Sequence, residues 1–130
     1  MLKKAVHPAN TPLPAGPYTH AVIAGDYIFV SGQTPEKPGT DELMEDGIKE
    51  QTRQVMEHIK TILEAAGCIM DDIVKVTAYL KDINDFAGYN EIYGQYFSTP
   101  YPVRSTVQCA NPSNALIEVD VIAYRPGIQK

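Results

Sequence analysis

The sequence predicts an α+β fold with an antiparallel-dominated mixed sheet and two helices on one face of it. Three observations predict this fold. Apolar, strand-like segments lie at both ends of the chain and between two helical segments, all ten prolines lie outside those helices, and the chain has 130 residues. Segregated strands and helices favour a two-layer architecture, and this length is typical of one domain. We therefore expect residues 1–130 to form a single domain.

The N-terminal part is predicted to be a proline-rich loop followed by a hairpin. Residues 8–17 contain four prolines, which disfavour regular structure. Residues 20–24 and 27–31 are apolar and are joined by Gly25 and Asp26. A two-residue connection that begins with glycine is typical of a type II′ turn, so these segments are expected to pair. The polar segment after them is expected to form a loop.

The first helix is predicted over residues 46–66, because its apolar residues recur at spacings of three, four and seven. Asp46 is placed to cap this helix, and Gly67 to end it in the left-handed conformation. Residues 73–81 alternate between apolar and polar, which predicts a strand. A second helix is predicted over residues 84–97, although Gly88 and Gly94 each cost it about 1 kcal/mol relative to alanine.

Two strands, residues 103–110 and 116–124, are predicted to close the chain. The turn-forming segment 111–114 between them predicts an antiparallel pair. In the last strand, alternate residues make an unbroken apolar face that suits packing under the helices. If both strands turn their small apolar residues toward the helices, the polar residues share the far face. These residues are Arg104, Thr106, Gln108, Glu118 and Asp120.

That far face also carries Leu116, Ile122 and Tyr124, so it is too apolar for an ordinary solvated surface. One interpretation is that another copy of the chain covers it, with a polar pocket where the two copies meet. The other is a solvent-facing sheet with a cross-strand ion pair. Alternation alone leaves both open.

Composition excludes several function classes. The chain carries 16 acidic and 11 basic residues, a net charge of −5, without the basic stripe of proteins that bind nucleic acid through its phosphates. Cys68 and Cys109 form no metal or disulfide pattern, which fits a reducing compartment. No apolar segment is long enough to span a membrane. We therefore expect a cytoplasmic protein with no membrane and no nucleic-acid partner.

Seven short motifs in order and in register are similar to those of the RidA/YjgF/L-PSP family, and together they cover nearly the whole chain. They are GPYTHA at 16–21, VSGQ at 30–33, EQT at 50–52, VKVT at 74–77, DF at 85–86 with Asn90 and Tyr93, PVRS at 102–105 and IEVD at 117–120. The resemblance implies a chorismate-mutase-like fold, assembled as a homotrimeric barrel with active sites between subunits. It also implies hydrolysis of 2-aminoacrylate, 2-iminopropanoate and 2-iminobutanoate to 2-keto acids and ammonia, without a cofactor or a metal.

The residues at the family positions suit this chemistry. A guanidinium binds a carboxylate through two charge-assisted hydrogen bonds, so Arg104 is expected to anchor the substrate. Glu118 is expected to hold the attacking water and accept its proton. If Arg104 lies beside Glu118 on the neighbouring strand, its charge keeps this carboxyl ionised.

The resemblance also implies substrate-binding roles for Tyr18, Ser31, Gly32, Asn90 and Thr106, each with a structural alternative. Tyr18 closes the cleft or packs in its loop, and Ser31 and Gly32 contact the substrate carboxylate or merely end a strand. Asn90 faces a neighbouring subunit or lies on the helix surface. Thr106 stands where many members have cysteine, which argues against a thiol nucleophile but leaves the backbone contact of this position intact.

His20 stands where the family usually has glutamine, so it either tunes the rim of the pocket or lies on the surface.

Two other functions are compatible with this sequence. One is an endoribonuclease or translation inhibitor, a label that this family has also carried. The other is a non-enzymatic protein that binds small carboxylates in the same cleft.

Overall fold

The α+β class and the two-layer arrangement are confirmed by the computed structural model, which describes residues 2–8 and 14–129. Within these residues the chain forms six strands and two α-helices. In chain order they are β1 (Lys3–Val6), β2 (Ala21–Ala24), β3 (Tyr27–Gln33), α1 (Gly47–Ala65), β4 (Ile73–Leu80), α2 (Phe86–Gly94), β5 (Val103–Gln108) and β6 (Ile117–Tyr124). None of the helices in this described part is long and apolar enough to cross a membrane.

The strands lie in the order β1-β2-β3-β6-β4-β5. Neighbours are antiparallel except β4 and β5, which are parallel. The predicted hairpin of β2 and β3 is confirmed, whereas the predicted pairing of β5 with β6 is wrong. β6 lies in the middle of the sheet, where its apolar residues are covered, and β5 lies at the edge. A turn signal is local, so segment 111–114 reverses the chain direction without making its flanking strands neighbours.

The core lies between the helices and one face of the sheet. The predicted inward residues of β6 are all buried, and they pack under α1, whose apolar stripe is buried as well. The buried residues of β6 are Ile117, Val119, Val121 and Ala123, and those of the α1 stripe include Val55, Ile59, Ile62 and Leu63. This contact fixes which face of every strand points toward the helices, because side chains alternate along a strand.

The register of β4 decides the faces of β5 and β6. Val76, which is buried under the helices, pairs with Arg104, and Tyr79 pairs with Glu118. Directly paired residues point to the same side of a sheet. Arg104 and Thr106 therefore lie on the helix side, while Glu118 lies on the far face. The expected far-face position is confirmed for Glu118 and Asp120 and is wrong for Arg104, Thr106 and Gln108.

Three local predictions also need correction. β1 was not predicted, because only Val6 of its four residues is buried and the strand has no clear alternation. α2 begins at Phe86, after a 3-10 turn over Ile83–Asp85, and ends at Gly94 instead of residue 97. Asp46 precedes α1 but makes no side-chain capping hydrogen bond, whereas Gly67 has the expected left-handed conformation, with φ of +90°.

Candidate active site

The predicted site residues form two groups on opposite sides of one protomer. Tyr18, Ser31, Gly32 and Glu118 line one cleft of about 920 Å³, which we call the acidic cleft. Arg104, Asn90 and Thr106 lie together beside α2, and we call this group the arginine site. The predicted convergence of Arg104 and Glu118 within one chain is therefore wrong. Parallel pairing of β5 with β4 turns Arg104 toward the helices, away from the face that carries Glu118.

An irregularity in β3 builds the floor of the acidic cleft. The register between β3 and β6 shifts between Val30 and Gln33, so Ser31 and Gly32 leave the regular ladder. The Ser31 amide donates to the His20 carbonyl at 2.8 Å, and its hydroxyl donates to the Thr19 carbonyl. These bonds hold the segment before β2 against the strand. Tyr18, on the same segment, is exposed at the cleft.

The Glu118 carboxylate lies directly over the α-carbon of Gly32. A Cβ at position 32 would lie 2.1 Å from Glu118 Oε2, which is far closer than atoms approach without bonding. Gly32 is thus required for the position of this carboxylate. Sequence reasoning selected Gly32 by resemblance as a substrate contact, but only the structure shows that it makes room for Glu118.

The surroundings of Glu118 favour its protonated form. Burial raises the pKa of this carboxyl, and the negative charges of Asp120 and Glu36 raise it further. Asp120 lies on the same face of β6 and accepts a hydrogen bond from the Tyr79 hydroxyl at 2.9 Å. The prediction that Arg104 of the same chain keeps Glu118 ionised is wrong, because the guanidinium lies on the other face. A carboxyl whose pKa is raised in this way binds a proton more readily than an ordinary glutamate, which suits a group that accepts a proton and returns it.

Sequence reasoning missed other residues of the acidic cleft. Glu36 and Asp41, from the loop between β3 and α1, also line it. Their only signal was an acidic loop composition, which usually marks a solvated surface. His20 also lines the cleft; it is buried and its ring stacks on His7 with centroids 4.9 Å apart. The surface interpretation of His20 is therefore wrong.

Aromatic rings of α2 surround the guanidinium of the arginine site. The Arg104 Cζ lies 4.7 Å from the centroid of Tyr93, 5.4 Å from Tyr89 and 5.6 Å from Phe86. Arg104 Nη1 donates to Asn90 Oδ1 at 2.8 Å, so Asn90 orients the guanidinium instead of lying free on the helix surface. Tyr89 and Tyr93 are also buried in the core, whereas Phe86 is partly exposed. Sequence reasoning did not predict that these rings contact Arg104, because helical spacing does not reveal what a ring faces.

The arginine site also contains a contact between two hydroxyl groups and a positive charge that no described carboxylate offsets. The Thr106 hydroxyl lies 3.2 Å from the Tyr89 hydroxyl. Among the described residues Arg104 has no ion-pair partner. A guanidinium that is stacked on rings and lacks a carboxylate partner is suited to bind an anionic ligand. The described residues contain no cluster of three His, Cys, Asp or Glu side chains that could hold a metal ion.

Comparisons with known proteins agree with the motifs. The family described as endoribonuclease L-PSP matches residues 8–125. A RutC family protein of Pyrococcus horikoshii is 48% identical over 95% of this chain and 99% of its own length. The 2-iminobutanoate/2-iminopropanoate deaminase of Bos taurus is 37% identical over 96% and 92%. The crystal structure of E. coli TdcF with bound serine has a TM-score of 0.88 and 40% identity, covering 94% of this chain and 98% of that one. This chain is thus a member of the RidA/YjgF/L-PSP family.

Proposed function

We propose that the protein hydrolyses reactive 2-imino and enamine acids to 2-keto acids and ammonia, at sites formed between copies of the chain. One observation carries this proposal. A guanidinium with no carboxylate partner among the described residues and a cleft with the Glu118 carboxyl lie on opposite sides of the chain, and each suits one end of a 2-imino acid. The Bos taurus relative is named for this activity, whereas the Pyrococcus horikoshii relative is named only by family.

The two halves require an assembly that joins unlike surfaces. If Arg104 of one copy meets Glu118 of the next, the contact is head-to-tail, and such contacts form a ring when the rotation from copy to copy closes. A homotrimer, which the family resemblance implies, is the smallest ring of this kind. The far face supports such a contact, because large apolar side chains are exposed there. They are Tyr27, Phe29, Val103, Val107 and Tyr124.

Substrate binding begins with the carboxylate that every 2-imino acid carries. Arg104 can bind both carboxylate oxygens, and Asn90 holds the guanidinium in place for this contact. The rings of Phe86, Tyr89 and Tyr93 exclude water from one side of the guanidinium, which strengthens the ion pair. Thr106 contacts the substrate through its backbone, and Tyr18 of the next copy closes over it.

Hydrolysis then uses the Glu118 carboxylate as a base and as an acid. Glu118 accepts a proton from water, the water oxygen bonds to the imine carbon, and the π electrons of the C=N bond move to nitrogen. The protonated Glu118 returns this proton to nitrogen. Starting from the protonated imine, nitrogen is then an –NH3+ group, and the C–N bond breaks with its electrons going to nitrogen. The hydroxyl passes its proton to Glu118 as it becomes the ketone, and the departing ammonia takes up that proton, so that a 2-keto acid and ammonium leave. Ser31 and Gly32 line the same cleft as Glu118.

Ammonia release from freshly generated 2-iminopropanoate and 2-iminobutanoate tests this function. We expect the wild-type protein to accelerate release, and the R104A variant to lose this activity while it keeps the assembly of the wild type. A calorimetric titration with 2-ketobutanoate, run beside the assay, separates turnover from binding. Binding without any acceleration by the wild type would support the non-enzymatic alternative instead.

An endoribonuclease is the second candidate, because the matching family is described by that name. The acidic side chains of the cleft disfavour a phosphodiester backbone, since RNA binding depends on neutralising phosphates. RNA cleavage by the purified protein that disappears in R104A, and that weakens steeply with added salt, would favour this candidate.

A further inference from the structure

The loop between β3 and α1 holds Glu36 in a fixed position at the acidic cleft. The two arms of this loop are bridged between Glu36 and Leu43. Nε2 of the buried His58, on α1, lies 2.6 Å from the Glu36 carbonyl oxygen. Gln51, two turns earlier on the same face of α1, donates from Nε2 to the Met44 carbonyl at 2.7 Å, at the other end of the loop. The backbone that carries Glu36 is therefore tied to the core.

The Glu36 carboxylate has one oxygen paired and one oxygen ready for a donor. Oε1 accepts a hydrogen bond from the Thr34 hydroxyl. Oε2 is buried and has no hydrogen-bond donor among the described residues. A buried polar atom without a partner is destabilising, and more so when it is charged. Oε2 is itself covered, so a bound molecule with an N–H group can supply the missing donor once the Glu36 carboxyl turns toward the cleft that this residue lines.

The charge of the acidic cleft favours a cation. Its described lining contains the carboxylates of Glu36, Asp41 and Glu118 and no lysine or arginine. Asp120 adds a negative charge behind Glu118. A 2-imino acid in its reactive form carries a protonated nitrogen with two N–H donors, whereas its 2-keto product has a neutral oxygen there. The cleft therefore suits the nitrogen end of the substrate, as Arg104 suits the carboxylate end.

We propose that Glu36 is a second carboxylate of this site, which binds the protonated nitrogen of the 2-imino acid and then the departing ammonium. This assignment rests on the function proposed above. Glu36 accepts hydrogen bonds from nitrogen, while the proton from water travels by way of Glu118. The iminium ion and water thus become the 2-keto acid and ammonium with no net proton gained by Glu36. The charge pattern selects zwitterionic 2-imino acids over their 2-keto products.

The E36Q variant tests this role, with E42Q as the matched control. Glu42 lies in the same loop, is exposed in an ion pair with Lys37 and does not line the cleft. We expect E36Q to lower kcat/KM for 2-iminobutanoate by about 10- to 100-fold, the loss expected for a hydrogen bond to a charged group. We expect its Kd for 2-ketobutanoate, which lacks the cationic nitrogen, to stay within about twofold of the wild type.

A second readout is the pH dependence of kcat, which a purely structural role would not change. The charged or titratable groups around Glu118 are Tyr18, His20, Glu36, Asp41, Tyr79 and Asp120. In the proposed assembly, Arg104 of the next copy joins them. Removing the charge of Glu36 lowers the pKa of Glu118, so the acid limb of kcat should move to lower pH in E36Q and not in E42Q. E36Q is not expected to lose stability, because it removes an uncompensated charge.

The outcomes separate this inference from the proposed function. A wild-type protein that releases no ammonia refutes the proposed function itself. An active wild type whose E36Q variant keeps its full kcat/KM refutes only the role of Glu36. An equal loss of 2-iminobutanoate turnover and 2-ketobutanoate affinity in E36Q also refutes it, since the nitrogen would then make no difference.

Discussion

At the scale of single residues, the proposed site needs Arg104 as a planar, forked donor stacked on aromatic rings. R104K keeps the positive charge but loses the two-point contact and most of the stacking on Tyr93. We expect kcat/KM for 2-iminobutanoate to fall by about 10- to 100-fold in R104K, and further in R104A. Steady-state assays of ammonia release measure this. Wild-type activity in R104K would show that charge alone is needed.

Gly32 makes a second prediction at this scale. Its backbone is not left-handed, so an alanine there is not strained in itself, but its Cβ would displace the Glu118 carboxylate. We expect G32A to lose at least about tenfold in kcat/KM while its melting temperature changes little, because the flexible end of a side chain can move. Gly94→Ala is the control, since no atom lies within 4 Å of its added Cβ. Equal activity in both variants would contradict this role.

The pKa of Glu118 predicts a pH dependence. Burial, Asp120 and Glu36 raise this pKa, so the carboxyl takes up a proton at a higher pH than an ordinary glutamate. A protonated Glu118 cannot accept the proton of water. We therefore expect kcat to fall as the pH drops through this raised pKa. The pH dependence of kcat reports the enzyme–substrate complex, in which the substrate carboxylate offsets the positive charge of Arg104. A profile of kcat against pH checks this, and an acid limb at or below the ordinary glutamate range would contradict it.

At the scale of helices and strands, the sequence predicted where single elements lie along the chain and which face is buried. It did not predict which strands lie next to each other in the sheet. The stripe that includes Val55 and Ile59 predicted α1, and the alternation of β6 predicted its buried face. Both signals arise within one element. The position of β6 between β3 and β4 depends on pairing across long sequence distances, which no turn residue encodes. The wrong face for Arg104 has a separate cause. It followed from the assumption that β5 turns its small apolar residues toward the helices, whereas Val103 and Val107 are exposed at the sheet edge.

Gln51 links three elements and makes a stability prediction. This buried side chain on α1 accepts from the Leu116 amide at 2.8 Å and donates to the Met44 carbonyl at 2.7 Å. Gln51→Leu leaves both backbone groups without a partner, so we expect a loss of about 1–3 kcal/mol in the free energy of unfolding for each group that stays buried. Urea denaturation measures this, with the exposed Lys60→Gln on the same helix as the control. An unchanged unfolding midpoint would contradict the linking role.

At the scale of the whole molecule, the sequence selected candidate site residues but did not predict their arrangement. The family motifs selected Arg104 and Glu118, which we propose as the two halves of a shared site. Alternation predicted a far face too apolar for water, and the exposed rings of Tyr27, Phe29 and Tyr124 lie there. The positions of Arg104 and Glu118 on opposite faces of the sheet could not be predicted. They follow from the register between β5, at the sheet edge, and β4.

The apolar far face predicts that assembly and activity are lost together. Phe29 contacts the Tyr27 ring, with centroids 6.3 Å apart, and 42% of Phe29 is exposed. F29D places a charge in this apolar surface, which we expect to dissociate the assembly and abolish imine hydrolysis. Sedimentation and ammonia release, measured on the same sample, check both effects. Ile69→Asp, at an exposed apolar residue outside the sheet, is the control. A dissociated F29D that stays active would contradict shared sites.

Mixing two inactive variants tests the shared site most directly. R104A and E118Q are each expected to be inactive alone, and each keeps the half that the other lacks. In a ring with random mixing, each interface has about a one-in-four chance of joining an intact Arg104 to an intact Glu118. If the site is shared between copies, co-assembled R104A and E118Q recover about a quarter of the wild-type activity. No recovery in verified mixed assemblies would contradict it, because every site would then lie within one chain.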